Sequence, residues 1–152
     1  MVNLIITVIA IAFFAAIMYA GSGYINFDSV INLKQKTEVT ASLSQLNTGI
    51  SSYRLLYDSK PETWSDITPS IIGKPTLPAT MQWGDLSLNG ATGYNQACIT
   101  ASIERQTNLD TLISIQSEIG SDLLVIGDAC GDTTDLLPDT YPSIKVITYT
   151  IR

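Results

Sequence analysis

No charged side chain occurs before Asp28; every Asp, Glu, Lys and Arg of the chain lies from that residue onward. From Leu4 to Ala20 the run LIITVIAIAFFAAIMYA holds one polar side chain, Thr7. With Val2 and Asn3 it reaches the length of a membrane-crossing helix, since about 20 residues at ~1.5 Å each cover a hydrocarbon core of ~30 Å. Such a helix satisfies its own backbone hydrogen bonds in lipid. A cleavable signal peptide fits poorly, because no Lys or Arg precedes the run and Met18, not a small residue, stands three before Gly21. A plain single-pass anchor is the stronger alternative, with Tyr19 and Tyr24 at the interface and Lys34 and Lys36 beyond it. An apolar helix that starts at residue 2 with no charge before it suggests that Met1 is a processed end, left by removal of a short leader.

The rest of the composition narrows the function classes. The net charge is −6, with eight basic residues scattered among fourteen acids, and the chain has no histidine. Nucleic-acid binding needs clustered Lys and Arg to displace counterions, so no nucleic-acid partner is expected. Without histidine, Ser-His-Asp and Cys-His nucleophile systems and His-ligated zinc or haem are excluded. Neither Ser22 nor Ser102 has a base in evidence. No enzyme activity, cofactor or metal is expected.

Gly21-Ser22-Gly23 interrupts the apolar run and predicts a kink or melted turn, each glycine costing about 1 kcal/mol in a helix relative to alanine. Helical periodicity resumes at Val39, Leu43, Leu46, Ile50, Tyr53 and Tyr57, a single stripe on one face. Glu38, Ser42, Gln45, Ser52 and Arg54 form the opposite face and are expected in solvent. Pro61 ends the element. The sum is a helix of some fifty residues, apolar in its first half and amphipathic in its second.

Beyond Pro61, closely spaced prolines and glycines divide the chain into short pieces. Glu62 to Ile67 predicts one helical turn. Met81 to Leu88 predicts a strand closed by the Asn89-Gly90 turn, and Ala97 to Ile103 a second strand. Leu109, Leu112, Ile113, Gln116 and Ile119 repeat at helical spacing, with Asn108 as the expected N-cap and Gly120 at the end. Leu123 to Ile126 and the terminal PSIKVITYTIR supply the remaining strands. The expected fold is therefore α+β: a long N-terminal helix packed on an antiparallel sheet of about four strands. Residues 1–27 form the apolar membrane or filament-core helix and residues 28–152 the globular domain.

Cys98 and Cys130 are the only cysteines. Their separation fits neither a CxxC redox motif nor a four-thiolate metal site. A disulfide closing a loop of some thirty residues, worth about 3–4 kcal/mol, is the economical reading, with two free buried thiols as the alternative. Asp128, Asp132 and Asp135 lie in GDACGDTTD, which lacks the EF-hand pattern and reads as a solvated acidic loop.

In architecture the chain resembles the type IV pilin superfamily. The residues that carry the resemblance are the apolar segment Met1 to Ala20, the Gly21/Gly23 break, the stripe through Tyr57, the Tyr53 to Pro61 exit and the Cys98/Cys130 pair. The resemblance implies a helix held in the inner membrane before assembly, which then packs with its copies as a filament core through Leu4, Ile5, Val8, Ile11, Phe13, Phe14, Ala15, Ala16 and Met18. It implies an N-methylated Met1, partners that are other copies of the chain and a pilus assembly machinery, and a final location in an extracellular filament. Family members usually carry a glutamate at mature position 5; this chain has Ile5, which leaves a major or a minor subunit open. A pseudopilin of a secretion machine and an anchored extracytoplasmic binding domain are the remaining readings.

Overall fold

The computed structural model describes residues 10–12, 14–16 and 27–152. Two compact units divide the chain, Met1–Ile31 and Asn32–Arg152. In the first, residues 10–12 and 14–16 are helical.

Helix α1 spans Phe27–Tyr57. Its spacing of four and three places Val39, Leu43, Leu46 and Ile50 on one face, and all four are buried. Tyr53 packs at the margin of the core, but Tyr57, expected on the same stripe, is 58% exposed. One turn earlier, Arg54 already reaches the end of the two inner strands: its Nη2 donates to Asn95 Oδ1 at 3.0 Å and its Nη1 to the Arg152 carbonyl at 3.3 Å. The last turn overshoots, and Tyr57 stacks on Tyr53 instead, with ring centroids 4.6 Å apart. Ser42 departs from expectation in the other direction. It is buried, because the segment leading into the sheet lies over it, and its hydroxyl shares a proton between the carbonyls of Glu38 and Thr76. Gly49 faces that segment as well, and a Cβ there would overlap the Ile72 side chain. Asp58 closes the helix at φ 50°, its N–H donating to the Arg54 carbonyl at 3.0 Å.

A single turn, α2, follows at Trp64–Ile67. The two amides just ahead of it are satisfied by Asp66 in its first turn, whose carboxylate accepts from the N–H groups of Thr63, the N-cap, and Glu62 at 2.8 Å each. These bonds, that from Thr63 first, hold the Asp66 carboxyl below its ordinary value of 3.8.

Four antiparallel strands form one sheet: β1 (Met81–Leu88), β2 (Asn95–Ile103), β3 (Leu124–Gly127) and β4 (Ser143–Ile151). Their spatial order is β1-β2-β4-β3, so the C-terminal strand inserts between β2 and β3. Ile99 pairs with Trp83 on one side and Ile147 on the other, and Ile147 pairs in turn with Ile126. Directly paired residues share a sheet face, which gives a buried side carrying Ala97, Ile99, Ala101, Ile103, Leu124, Ile126, Ile147 and Ile151. Leu46, Ile50 and Ile67 join one end of this core, and Val39, Leu43 and helix α3 the other. The expected α+β architecture, one long helix with a four-stranded antiparallel sheet, is what the chain adopts.

Helix α3 covers Gln106–Ile119 and contributes Leu109, Leu112 and Ile115 to the core. It begins earlier than expected. Asn108 is not the N-cap but lies inside the first turn, where its Oδ1 accepts from the Arg105 N–H at 3.2 Å. The same side-chain chemistry is used one turn further in. Gly120 ends the helix at φ 114°, donating its N–H to the Gln116 carbonyl at 2.8 Å.

Candidate functional site

In the first unit, Ile11 and Phe14 are 64% and 67% exposed, and Ala10, Ala12, Ala15 and Ala16 are exposed beside them. Three residues apart on a helix, Ile11 and Phe14 form one ridge. Fully burying a side chain of this size contributes ~1.5–3 kcal/mol when it leaves water. The ridge is therefore suited to packing against another apolar surface. Met1, Leu4, Ile5, Val8, Phe13, Met18, Gly21 and Gly23 lie outside the described residues. Among the described residues, no helix is long and apolar enough to cross a membrane.

In the second unit, the flank of α1 beside α3 carries Leu33, Lys36, Thr37, Thr40, Ala41 and Ser44, which with Glu118 line a shallow groove. Lys36 ties the two helices together, its Nζ 2.9 Å from both Glu118 Oε2 and Ser114 Oγ. Leu55 and Leu56, at 87% and 69%, are the most exposed large apolar side chains in this unit apart from Ile144. Their displacement from the 3-4 stripe was the only sequence signal for that exposure.

Cys98 and Cys130 form a disulfide with a Cα–Cα distance of 5.7 Å. Cys98 is buried on the sheet side opposite α1, paired in register with Thr148, whereas Cys130 sits in the exposed loop after β3. The bridge holds that loop over the sheet, and the Gly131 N–H donates to Thr148 Oγ1 at 2.9 Å beside it.

The acids of this loop have structural partners. Asp132 accepts from the N–H groups of Asp128 and Ala129 at 2.8 and 2.9 Å. Gly127 is the residue that permits this approach, because a Cβ there would run into the Asp132 carboxylate. Asp135 accepts from the Ile126 N–H at 3.0 Å and from Gln116 Nε2 at 2.8 Å, and the Leu136 N–H donates to the Ile126 carbonyl at 2.7 Å. These bonds occupy the open edge of β3. Asp128 pairs at 2.6 Å with Lys145, whose side chain is 9% exposed. Sequence reasoning missed this pair; the lysine sits at an inward position of β4 where alternation called for an apolar residue. The loop is thus less a solvated acidic stretch than a strap in which three carboxylates are committed. Among the described residues, no three His, Cys, Asp or Glu side chains come together as a metal-ion set.

Comparisons with protein-family models, with curated proteins and with solved structures find no match to this chain.

Proposed function

We propose that the chain is the structural subunit of an extracellular type IV pilus-like filament, held in the inner membrane by its apolar N-terminal helix and assembled through that helix after release. The observation that carries this reading is the bare apolar ridge of Ile11 and Phe14, 64% and 67% exposed, within a segment that holds no charge before Asp28. A solvent-facing helix of this composition needs either lipid or other apolar helices, and a filament core supplies the second once the first is left behind. The remainder of the chain suits the outside of such an assembly, with α1 burying one stripe on the sheet and a disulfide fastening the C-terminal strap.

The isoleucine at position 5 favours one second reading, a minor subunit or pseudopilin. In this class a glutamate at that position meets the terminal amine of a neighbour, and an isoleucine cannot.

Mass spectrometry of the chain recovered from the producing cell, read at its N-terminus, tests the class. An N-methylated Met1 is the expected result. A terminus near Gly21 marks a cleaved signal peptide and overturns both readings, and an unmethylated Met1 in a membrane-retained chain leaves only the anchored domain.

A further inference from the structure

The turn between β1 and β2 holds a residue pair whose chemistry the proposed assembly does not use. Asn89 precedes Gly90, and it is the only asparagine of the chain followed by glycine. Its carboxamide is held in place rather than free: Oδ1 accepts from the N–H groups of Ala91 at 2.9 Å and Thr92 at 3.1 Å, while Nδ2 donates to Gln96 Oε1 at 3.2 Å. The backbone on either side is also tied, with the Asn89 N–H on the Tyr94 carbonyl at 2.9 Å and the Gly93 N–H on the Asn89 carbonyl at 2.7 Å.

We infer that Asn89 is a site of spontaneous covalent modification, its carboxamide attacked by the backbone nitrogen of Gly90. The chemistry balances with water as the only co-reactant. The Gly90 nitrogen, losing its proton to solvent base, forms a bond to Asn89 Cγ; the Cγ–Nδ2 bond breaks and ammonia leaves, giving a five-membered succinimide. Water then opens either carbonyl of that ring. One product is an aspartate, and the other an isoaspartate in which the main chain runs through the former side chain.

Three observations place the reaction here. Two backbone N–H groups point at Oδ1, where negative charge develops as the nitrogen adds, so they act as a small oxyanion hole. Gly90 has no Cβ to obstruct the approach, and nothing lies within 4 Å of the place one would occupy. The other asparagines of the second unit are held in regular structure. Asn32 and Asn47 lie in α1, Asn108 lies in α3, and Asn95 is fully buried in β2.

Either product adds one negative charge to a chain already at −6. The isoaspartate also inserts an extra backbone atom between the two hydrogen bonds that close the hairpin. The inference is independent of the filament reading.

The test is peptide mapping by tandem mass spectrometry of the full chain, aged in mildly alkaline buffer at physiological temperature, beside its Gly90→Ala variant. The expected result is a gain of one mass unit at Asn89, mostly as isoaspartate, at least roughly tenfold faster than at Asn47 or Asn108. The variant loses most of that signal. Gly90 does not have a positive φ, so the alanine is accommodated, and an unchanged circular dichroism spectrum confirms it. Conversion at Asn89 no faster than at the helical asparagines, or unaffected by Gly90→Ala, overturns the proposal.

Discussion

Breaking the Cys98–Cys130 bridge is expected to weaken the second unit chiefly through its unfolded state. The bridge spans 32 positions of sequence. Loop-closure entropy for a ring of that size corresponds to about 4 kcal/mol at room temperature. The native side of the balance changes little. After reduction the strap is still fastened by Asp132 to two amides, by Asp135 to Ile126 and Gln116, and by Gly131 to Thr148. Reduction in place is a cleaner perturbation than substitution, because both sulfurs keep their packing and no hydroxyl is buried at the Cys98 site. The assay is urea unfolding of the full chain in mild detergent, followed by tryptophan fluorescence, with and without a thiol reductant. Trp64 and Trp83 both pack on the core, so the signal reports the folded unit. A loss of about 4 kcal/mol moves the midpoint by roughly 2–3 M urea at the m-value of a domain this size, and m itself rises because the released chain exposes more surface. A loss below about 1 kcal/mol would refute the entropic reasoning. So would a falling midpoint with m unchanged, which places the effect in the native state.

Other perturbations probe separate parts of the structure. Ala15→Arg is expected to abolish filaments while the second unit still folds, because the guanidinium enters the helix assembly without a partner; filament yield by electron microscopy is the readout, and normal yield counts against the assembly. Gly49→Ala is expected to fall short of the ~1 kcal/mol gain that replacing a mid-helix glycine otherwise gives, since the new methyl group displaces the Ile72 side chain; the same urea titration measures it, and a full gain would show that Ile72 moves at no cost. Asp66, its carboxyl held low by the Thr63 and Glu62 amides, favours the folded state above its ordinary value of 3.8, and that support is lost as pH falls through the lower folded value. Stability of Asp66→Asn measured against pH is therefore expected to show a weaker acid dependence below about pH 4 than the parent chain. Tyr149 has the opposite sign: burial raises its phenol above 10.0, so its contribution is present below that value and is lost as pH rises through the folded one. Tyr149→Phe is expected to flatten the alkaline limb of the stability curve.

The elements of the second unit were legible where a local period set them. Val39 through Ile50 announced the buried face of α1, and β1, β2 and β4 were marked by β-branched runs with turn residues between them. What resisted reading was set by contacts distant in sequence. Ser42 is buried because the Thr76 segment crosses it, Tyr57 is bare because the sheet ends at Asn95 and Arg152, and no window around either residue contains that information. The cysteine pairing followed from there being only two. The roles of Asp128, Asp132 and Asp135 did not follow from composition, because a run of acids looks alike whether its carboxylates face water or cap amides. Lys145 is the sharpest case: strand alternation gives its direction, but only the pairing of β3 with β4, Gly127 opposite Val146, brings the next residue, Asp128, beside it. The strand order β1-β2-β4-β3 was equally out of reach, since it depends on which edge the last strand chooses.

The proposed function requires the charge-free N-terminal segment to exchange lipid for copies of itself in a filament. Immunogold electron microscopy of material sheared from the surface of the producing cells, using antibody to this chain, tests it most directly. Filaments labelled along their whole length are predicted. Label confined to filament tips, or a chain that stays with the membrane fraction and marks no filament, would contradict it.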